Sequence, residues 1–276
     1  MTTAVAARPS TADHDPSWLG SGLGTQIWVL TLRSLKAVVR DPRMIVFSLI
    51  QPLVMLVLFS QIFASIAKTP GFPTGVSYID YLMPAILVNT AMGSAIQSGA
   101  GLVNDMRNGV LARFRALPIA PASVLVARSL SDLVRTAFQL VIMLLFATVV
   151  FGFKPAGGAP GVIAALAMGL VVSWALGWIF LAVASWVRNA ELMQMVGFLL
   201  MFPLMFASSS YVPIANLPGW LQAVAQVNPM THAVNAARDL ALATPVGNGV
   251  LDTLAISALL AAVGAVLAVR GFRRPL

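Results

Sequence analysis

The 276-residue chain is 59% hydrophobic and only 9% charged, where a soluble domain carries roughly a quarter charged residues. A soluble fold of this size could not hide so much apolar side chain, which excludes an ordinary cytosolic enzyme and a disordered chain, and the lack of any cysteine excludes a disulfide-stapled secreted domain. The formal charge of +8 would suit a nucleic-acid partner, but the basic residues stand at the edges of apolar runs, the pattern of an integral membrane protein in a lipid bilayer that binds no nucleic acid.

Residues 1–24 are rich in Ala, Ser, Thr and Gly, lack an apolar core followed by a cleavage site, and read as a flexible cytoplasmic tail. Residues 25–41 predict an amphipathic helix. Arg33, Lys36 and Arg40 fall on one side of the wheel, opposite Trp28, Leu32, Leu35 and Val39, a pattern that rests in the headgroup region. Asp41-Pro42 then breaks the chain before the first apolar run.

Six runs are candidates to cross the membrane: about 44–67, 82–103, 136–153, 162–187, 192–207 and 250–269. A crossing helix needs about 20 apolar residues and a barrel strand about ten of alternating character. These runs are continuous, so the expected fold is all-α, a polytopic bundle of six transmembrane helices, with Pro52, Pro84 and Pro203 bending or ending three of them.

Between the second and third runs, Met106, Val110, Phe114 and Leu117 share one helical face before Pro118 and Pro121 end the pattern. Such a helix suits a groove on a partner or the membrane surface, and the pattern does not choose between them. After residue 207, Pro213, Pro218 and Pro229 break an apolar stretch into short helices. With Tyr211 and Trp220 placed at interfacial depth, this stretch reads as a segment folded back into the outer leaflet. With both termini inside, fourteen of the seventeen Lys and Arg fall on the cytoplasmic side, and Lys68, Lys154 and Arg238 fall outside.

The sequence offers little catalytic chemistry. The only histidines are His14 and His232, metal-ligand and nucleophile motifs are missing, and no catalytic or metal-binding residue is expected. Asp132 and Arg135, one turn apart at the inner end of the third run, are expected to pair. An ion-gradient-driven carrier, the alternative reading, would place an ionisable residue near mid-membrane, and none is predicted there. Asn89, Ser94 and Gln97 do not line a common face as a channel would ask. No Gly-x-x-x-x-Gly-Lys-Ser/Thr occurs, so nothing here cradles nucleotide phosphates.

RDPRMIVFSLIQPLVMLVLF, NGVLARFRALPIAP followed by ARSLSDLVR, and LPGWLQ with NPMTHAVNAARDL stand in that order along the chain. In these segments the chain resembles the membrane subunits of bacterial ABC exporters, of the daunorubicin-resistance type within the type 2 exporter superfamily. The resemblance covers residues 25–276 and implies one permease domain in the bacterial inner membrane. It implies a homodimer, or a heterodimer with a similar permease, bound to a separate ATPase subunit that carries ATP and Mg. This chain would bind no cofactor and would move a hydrophobic or amphiphilic compound outward. The inner-loop helix would be the coupling helix, placing Asp105, Arg107, Gly109, Val110, Arg113, Phe114 and Leu117 at the ATPase contact. Many relatives carry a glutamate near the start of this loop, where Asn104-Asp105 stand here. The second and fifth spans would line the substrate path, with Asn89, Gln97, Phe198, Phe202 and Met205 as candidates.

Overall fold

The computed structural model describes residues 22–40, 42–108, 121–245 and 247–272. Among them stand nine α-helices and no strand: α1 (Leu23–Arg40), α2 (Pro42–Ile62), α3 (Tyr78–Arg107), α4 (Pro121–Phe151), α5 (Gly158–Val187), α6 (Ala190–Phe206), α7 (Gly219–Val227), α8 (Pro229–Leu242) and α9 (Gly249–Phe272). Four are long and apolar enough to cross a membrane, Tyr78–Arg107, Ala122–Phe151, Gly158–Val187 and Gly249–Phe272; the apolar stretches Val46–Ile62 and Ala190–Phe206 are shorter.

Polar residues set the helix ends. Ser77 caps α3 by accepting from the Asp80 amide at 3.2 Å, and Asp80 Oδ1 reaches across to accept from the Lys154 amide at 3.1 Å. Arg188 ends α5 in the left-handed conformation, and Asn189 at once caps α6 by accepting from the Glu191 and Leu192 amides. Asn228 serves two helices: its Oδ1 caps α8, and its Nδ2 donates to the Leu204 and Ala207 carbonyls at the end of α6, at 2.8 and 2.6 Å.

Two helix ends differ from the apolar runs. The first run was expected to reach residue 67, but α2 stops at Ile62 and Ala64–Lys68 winds into a 3-10 turn. The helix that holds the third run begins at Pro121, fifteen residues before the run itself, because ARSLSDLVR continues the helix without being apolar. Hydropathy marks what lipid tolerates, whereas the backbone stays helical until a breaker stops it.

Helix α3 is the axis of the bundle, buried along most of its length. Helix α5 crosses it and α9 at backbone contact. A Cβ on Gly264 would sit 2.7 Å from the Trp178 carbonyl carbon, and one on Gly99 would sit 2.8 Å from the Phe180 oxygen. Small residues let helix backbones meet where lipid gives no hydrophobic drive to association. Helix α8 is inserted as core, with Met230, Ala233, Val234, Ala236, Ala237 and Ala241 packed against α3 and α5. Helix α1 lies on α4, where Thr31 Oγ1 donates to the Ala127 carbonyl at 3.4 Å, while Trp28 and Val29 face outward.

Candidate functional site

Between α2, α3 and α6 lies a cavity of about 300 Å3. From α2 come Ser48, Gln51, Pro52 and Met55; α3 presents Asn89, Thr90, Gly93, Ser94 and Gln97; α6 supplies Gln194, Phe198, Met201, Phe202 and Met205. Gln139 of α4 and Tyr211, from the loop after α6, complete the wall, and among the described residues no Asp, Glu, Lys or Arg belongs to it.

The polar groups divide into those already used and those left open. Gln139 is engaged at both ends of its amide, accepting from Ser94 Oγ at 2.8 Å and donating to the Ser48 carbonyl at 3.1 Å, so one amide ties three helices. Asn89 Nδ2 donates to Tyr211 Oη at 3.1 Å. Asn89 Oδ1 and the Thr90 hydroxyl have no partner among the described residues, although the two residues are only 7% and 5% exposed. Buried polar atoms are normally satisfied, so these two mark a place built to receive a hydrogen-bonding group or water. Opposite them, Phe198, Phe202 and Phe206 follow one another along α6 at centroid spacings of 5.7 and 4.6 Å, and Phe206 and Phe59 close on Tyr211.

At the end of the bundle where α3 stops and α4 starts, four charges interlock. Arg128 bridges Asp105 and lies 3.6 Å from Asp132, and Arg135 lies 3.3 Å from Asp132. Ser98 donates a second bond to the Asp132 carboxylate. Gly101 makes room for Arg128, since a Cβ there would meet the guanidinium at 2.0 Å. The expected Asp132–Arg135 pair is therefore present, joined to a partner on another helix. Residues 109–120 connect the two helices that this cluster clamps.

At the opposite end, Arg238 of α8 is buried, 6% exposed. Its guanidinium lies 3.6 Å from the centre of the Tyr81 ring and donates to the Tyr81 carbonyl, the Ser209 carbonyl and Asn235 Oδ1. Tyr81 Oη also donates to Ser209 O, and Tyr78 Oη to Tyr211 O, so the loop that carries Tyr211 is bound to the start of α3.

The five residues expected on a substrate path, Asn89, Gln97, Phe198, Phe202 and Met205, stand on this one cavity. Asp105 joins the charge cluster, Arg107 is the exposed last residue of α3, and Gly109, Val110, Arg113, Phe114 and Leu117 lie outside the described residues. Tyr211 is 5% exposed, held by Asn89 and met edge-on by Phe59, and Arg238 is likewise buried inside the protein. Thr90, Gln139 and Arg128 were missed because cross-helix partners give them their roles, and a single helical wheel does not show these. For Arg238 a signal existed: an arginine among the small and apolar residues of AVNAARDLAL, with Asn235 one turn before it, points to burial with partners. Among the described residues no group of three or more His, Asp or Glu is arranged to hold a metal ion.

The sequence profile of the ABC-2 type transporters matches residues 25–242. The chain is 29% identical over 250 residues to the daunorubicin resistance ABC transporter permease protein DrrB1 of Streptomyces coeruleorubidus, covering 90% of this chain and 85% of that one. It is 26% identical over 255 residues to the probable doxorubicin resistance ABC transporter permease protein DrrC of Mycobacterium tuberculosis, covering 90% and 88%. With the putative transport permease ycf38 of Porphyra purpurea it shares 28% identity over 214 residues, covering 77% and 72%.

Proposed function

Because the chain belongs to the ABC-2 type transporter family, we propose that it is the permease subunit of an ATP-driven exporter for hydrophobic or amphiphilic compounds, drugs among them. The names of the Streptomyces and Mycobacterium relatives, given for daunorubicin resistance and probable doxorubicin resistance, support that substrate range. The observation that carries the reading is the cavity. Its aromatic row along α6 faces open polar groups on α3, a surface for molecules with an apolar body and a few hydrogen-bonding groups.

In this reading the chain is multi-pass, with α2, α3, α4, α5, α6 and α9 as the six crossings and both termini in the cytoplasm. Helices α7 and α8 form the outer re-entrant segment, and α1 lies at the inner leaflet. Residues 25–276 then make one permease domain behind a tail at 1–24. Two copies, or this chain and a similar permease, face each other over two ATPase subunits that hold ATP and Mg. Asp105, Arg107, Gly109, Val110, Arg113, Phe114 and Leu117 lie at or beside the ATPase contact. The charge cluster supports a coupling role for residues 109–120, because a push there is delivered to α3 and α4 together. Helix α3 carries the motion to the wall that holds Asn89 and Gln97.

Co-reconstitution tests this. Proteoliposomes holding the chain with its ATPase should accumulate a fluorescent amphiphile when ATP is added, and Phe114→Asp with Leu117→Asp should release the ATPase on purification. Uphill movement by the chain alone, driven by an ion gradient, would establish the carrier reading instead.

A further inference from the structure

We propose that the cavity between α2, α3 and α6 selects amphiphiles that are electrically neutral and rich in hydroxyl and carbonyl groups, and discriminates against cationic ones. This inference rests on the export reading and adds to it the chemical class of the cargo.

The first ground is the charge of the wall. Among the described residues five carboxamides reach it, from Gln51, Asn89, Gln97, Gln139 and Gln194, and no carboxylate does. Of the acids on the helices of this wall, Asp132 on α4 is held by Arg128, Arg135 and Ser98, and Glu191 at the start of α6 is exposed and is not a lining residue. An ammonium entering this space would lose water without gaining an opposite charge. The phenylalanine faces offer it a cation–π contact of about 0.5–2 kcal/mol, less than the several kcal/mol of desolvation that a buried ion meets.

The second ground is the pair of unpartnered groups. Asn89 Oδ1 can only accept, and the Thr90 hydroxyl can donate or accept. Both are more than nine-tenths buried and sit on neighbouring residues of α3 on the cavity wall. A ligand hydroxyl that donates to Asn89, beside a ligand carbonyl that accepts from Thr90, satisfies both without bringing any charge. Tyr211 Oη accepts from Asn89 Nδ2, so the open group of this amide is its oxygen. Phe198 and Phe202 then cover the apolar body of the ligand.

The test compares two probes with one skeleton: daunorubicin, whose amino sugar is an ammonium at neutral pH, and N-acetyldaunorubicin, in which that nitrogen is a neutral amide. Binding to the full chain in lipid nanodiscs is read by drug fluorescence, with empty nanodiscs subtracted. The neutral probe should bind about tenfold more tightly, which is ~1.4 kcal/mol. Thr90→Val should weaken the neutral probe about fivefold without lowering the melting temperature, since the hydroxyl it removes bonds to nothing among the described residues. Gln97→Glu, on the exposed rim, should narrow or reverse the preference. Equal or tighter binding of daunorubicin to the wild type, no binding of either probe, or a preference that neither variant moves would overturn the proposal. ATP-driven export of both probes without preference would leave the export reading standing and this inference refuted. A preference at the cavity without any ATP-driven export would do the reverse.

Discussion

The guanidinium of Arg238 lies over the ring of Tyr81, its Cζ 3.6 Å from the centre, and donates to the carbonyl of the same tyrosine at 3.1 Å. Through Ser209 and Asn235 it also holds the loop that carries Tyr211 over the cavity. Removing the head group leaves the Tyr81 carbonyl without this donor and takes one donor each from Ser209 O and Asn235 Oδ1, all in the interior. Arg238→Met should therefore cost about 2–4 kcal/mol of stability, and Arg238→Lys nearly as much, because one ammonium cannot reach three acceptors in different directions. Thermal melting of the full chain in nanodiscs checks both, and an unshifted melting temperature for Arg238→Met would contradict the assignment.

Asn228 gives a graded case. Asn228→Ala removes the cap of α8 together with both bonds to the end of α6, and a loss of about 2–3 kcal/mol is expected. Asn228→Ser keeps a capping oxygen and loses only the bonds to Leu204 and Ala207, so it should recover roughly half of that loss. Melting of the three proteins side by side shows the order; a serine variant no better than alanine would mean that the cap contributes nothing.

The Asp105–Arg128 bridge is best read by a double-mutant cycle. The side chains are 43% and 21% exposed, so solvent screens part of the attraction, and a coupling of about 1 kcal/mol is expected between Asp105→Asn and Arg128→Met. Arg128→Met alone should be worse than Asp105→Asn alone, because it also takes a cation from Asp132. The same variants should reduce ATP-driven transport more than they reduce probe binding.

Glycines separate contact from open space. Gly264→Ala drives a methyl group into the Trp178 backbone and should destabilise by about 1–3 kcal/mol. Gly177→Ala, where nothing lies within 4 Å, should be neutral or stabilise by up to ~1 kcal/mol through helix propensity. Equal melting of the two variants would contradict the close approach of α5 and α9.

The helical class and the position of each apolar stretch were legible because lipid imposes length and composition on anything that crosses it. Amides and aromatics on the second and fifth runs stood out for the same reason: Asn89 and Gln97 are costly in hydrocarbon, and Phe198 and Phe202 are one turn apart. Partnership across helices was not legible. Gln139 looks like an isolated polar residue in FQLVIMLL until Ser48 and Ser94 are brought beside it from two other helices. Arg128 and Asp105 are 23 positions apart and carry no periodic relation, and Tyr211 reads as a surface aromatic until Asn89 is placed against its hydroxyl. Helix ends failed where polar helical turns such as ARSLSDLVR continue beyond the apolar run.

At Gly99 and Gly264 the backbones of α3, α5 and α9 come into direct contact, and the Met193 side chain of α6 also closes on Gly99. Helix α6 otherwise meets α3 through side chains, as Gly197 does against Ile96, and much of the apolar surface of α2 and α6 is exposed. On the export reading, the wall bearing Asn89 and Thr90 would be the stiff one, and cargo of different girth would be admitted by adjustment of α2 and α6.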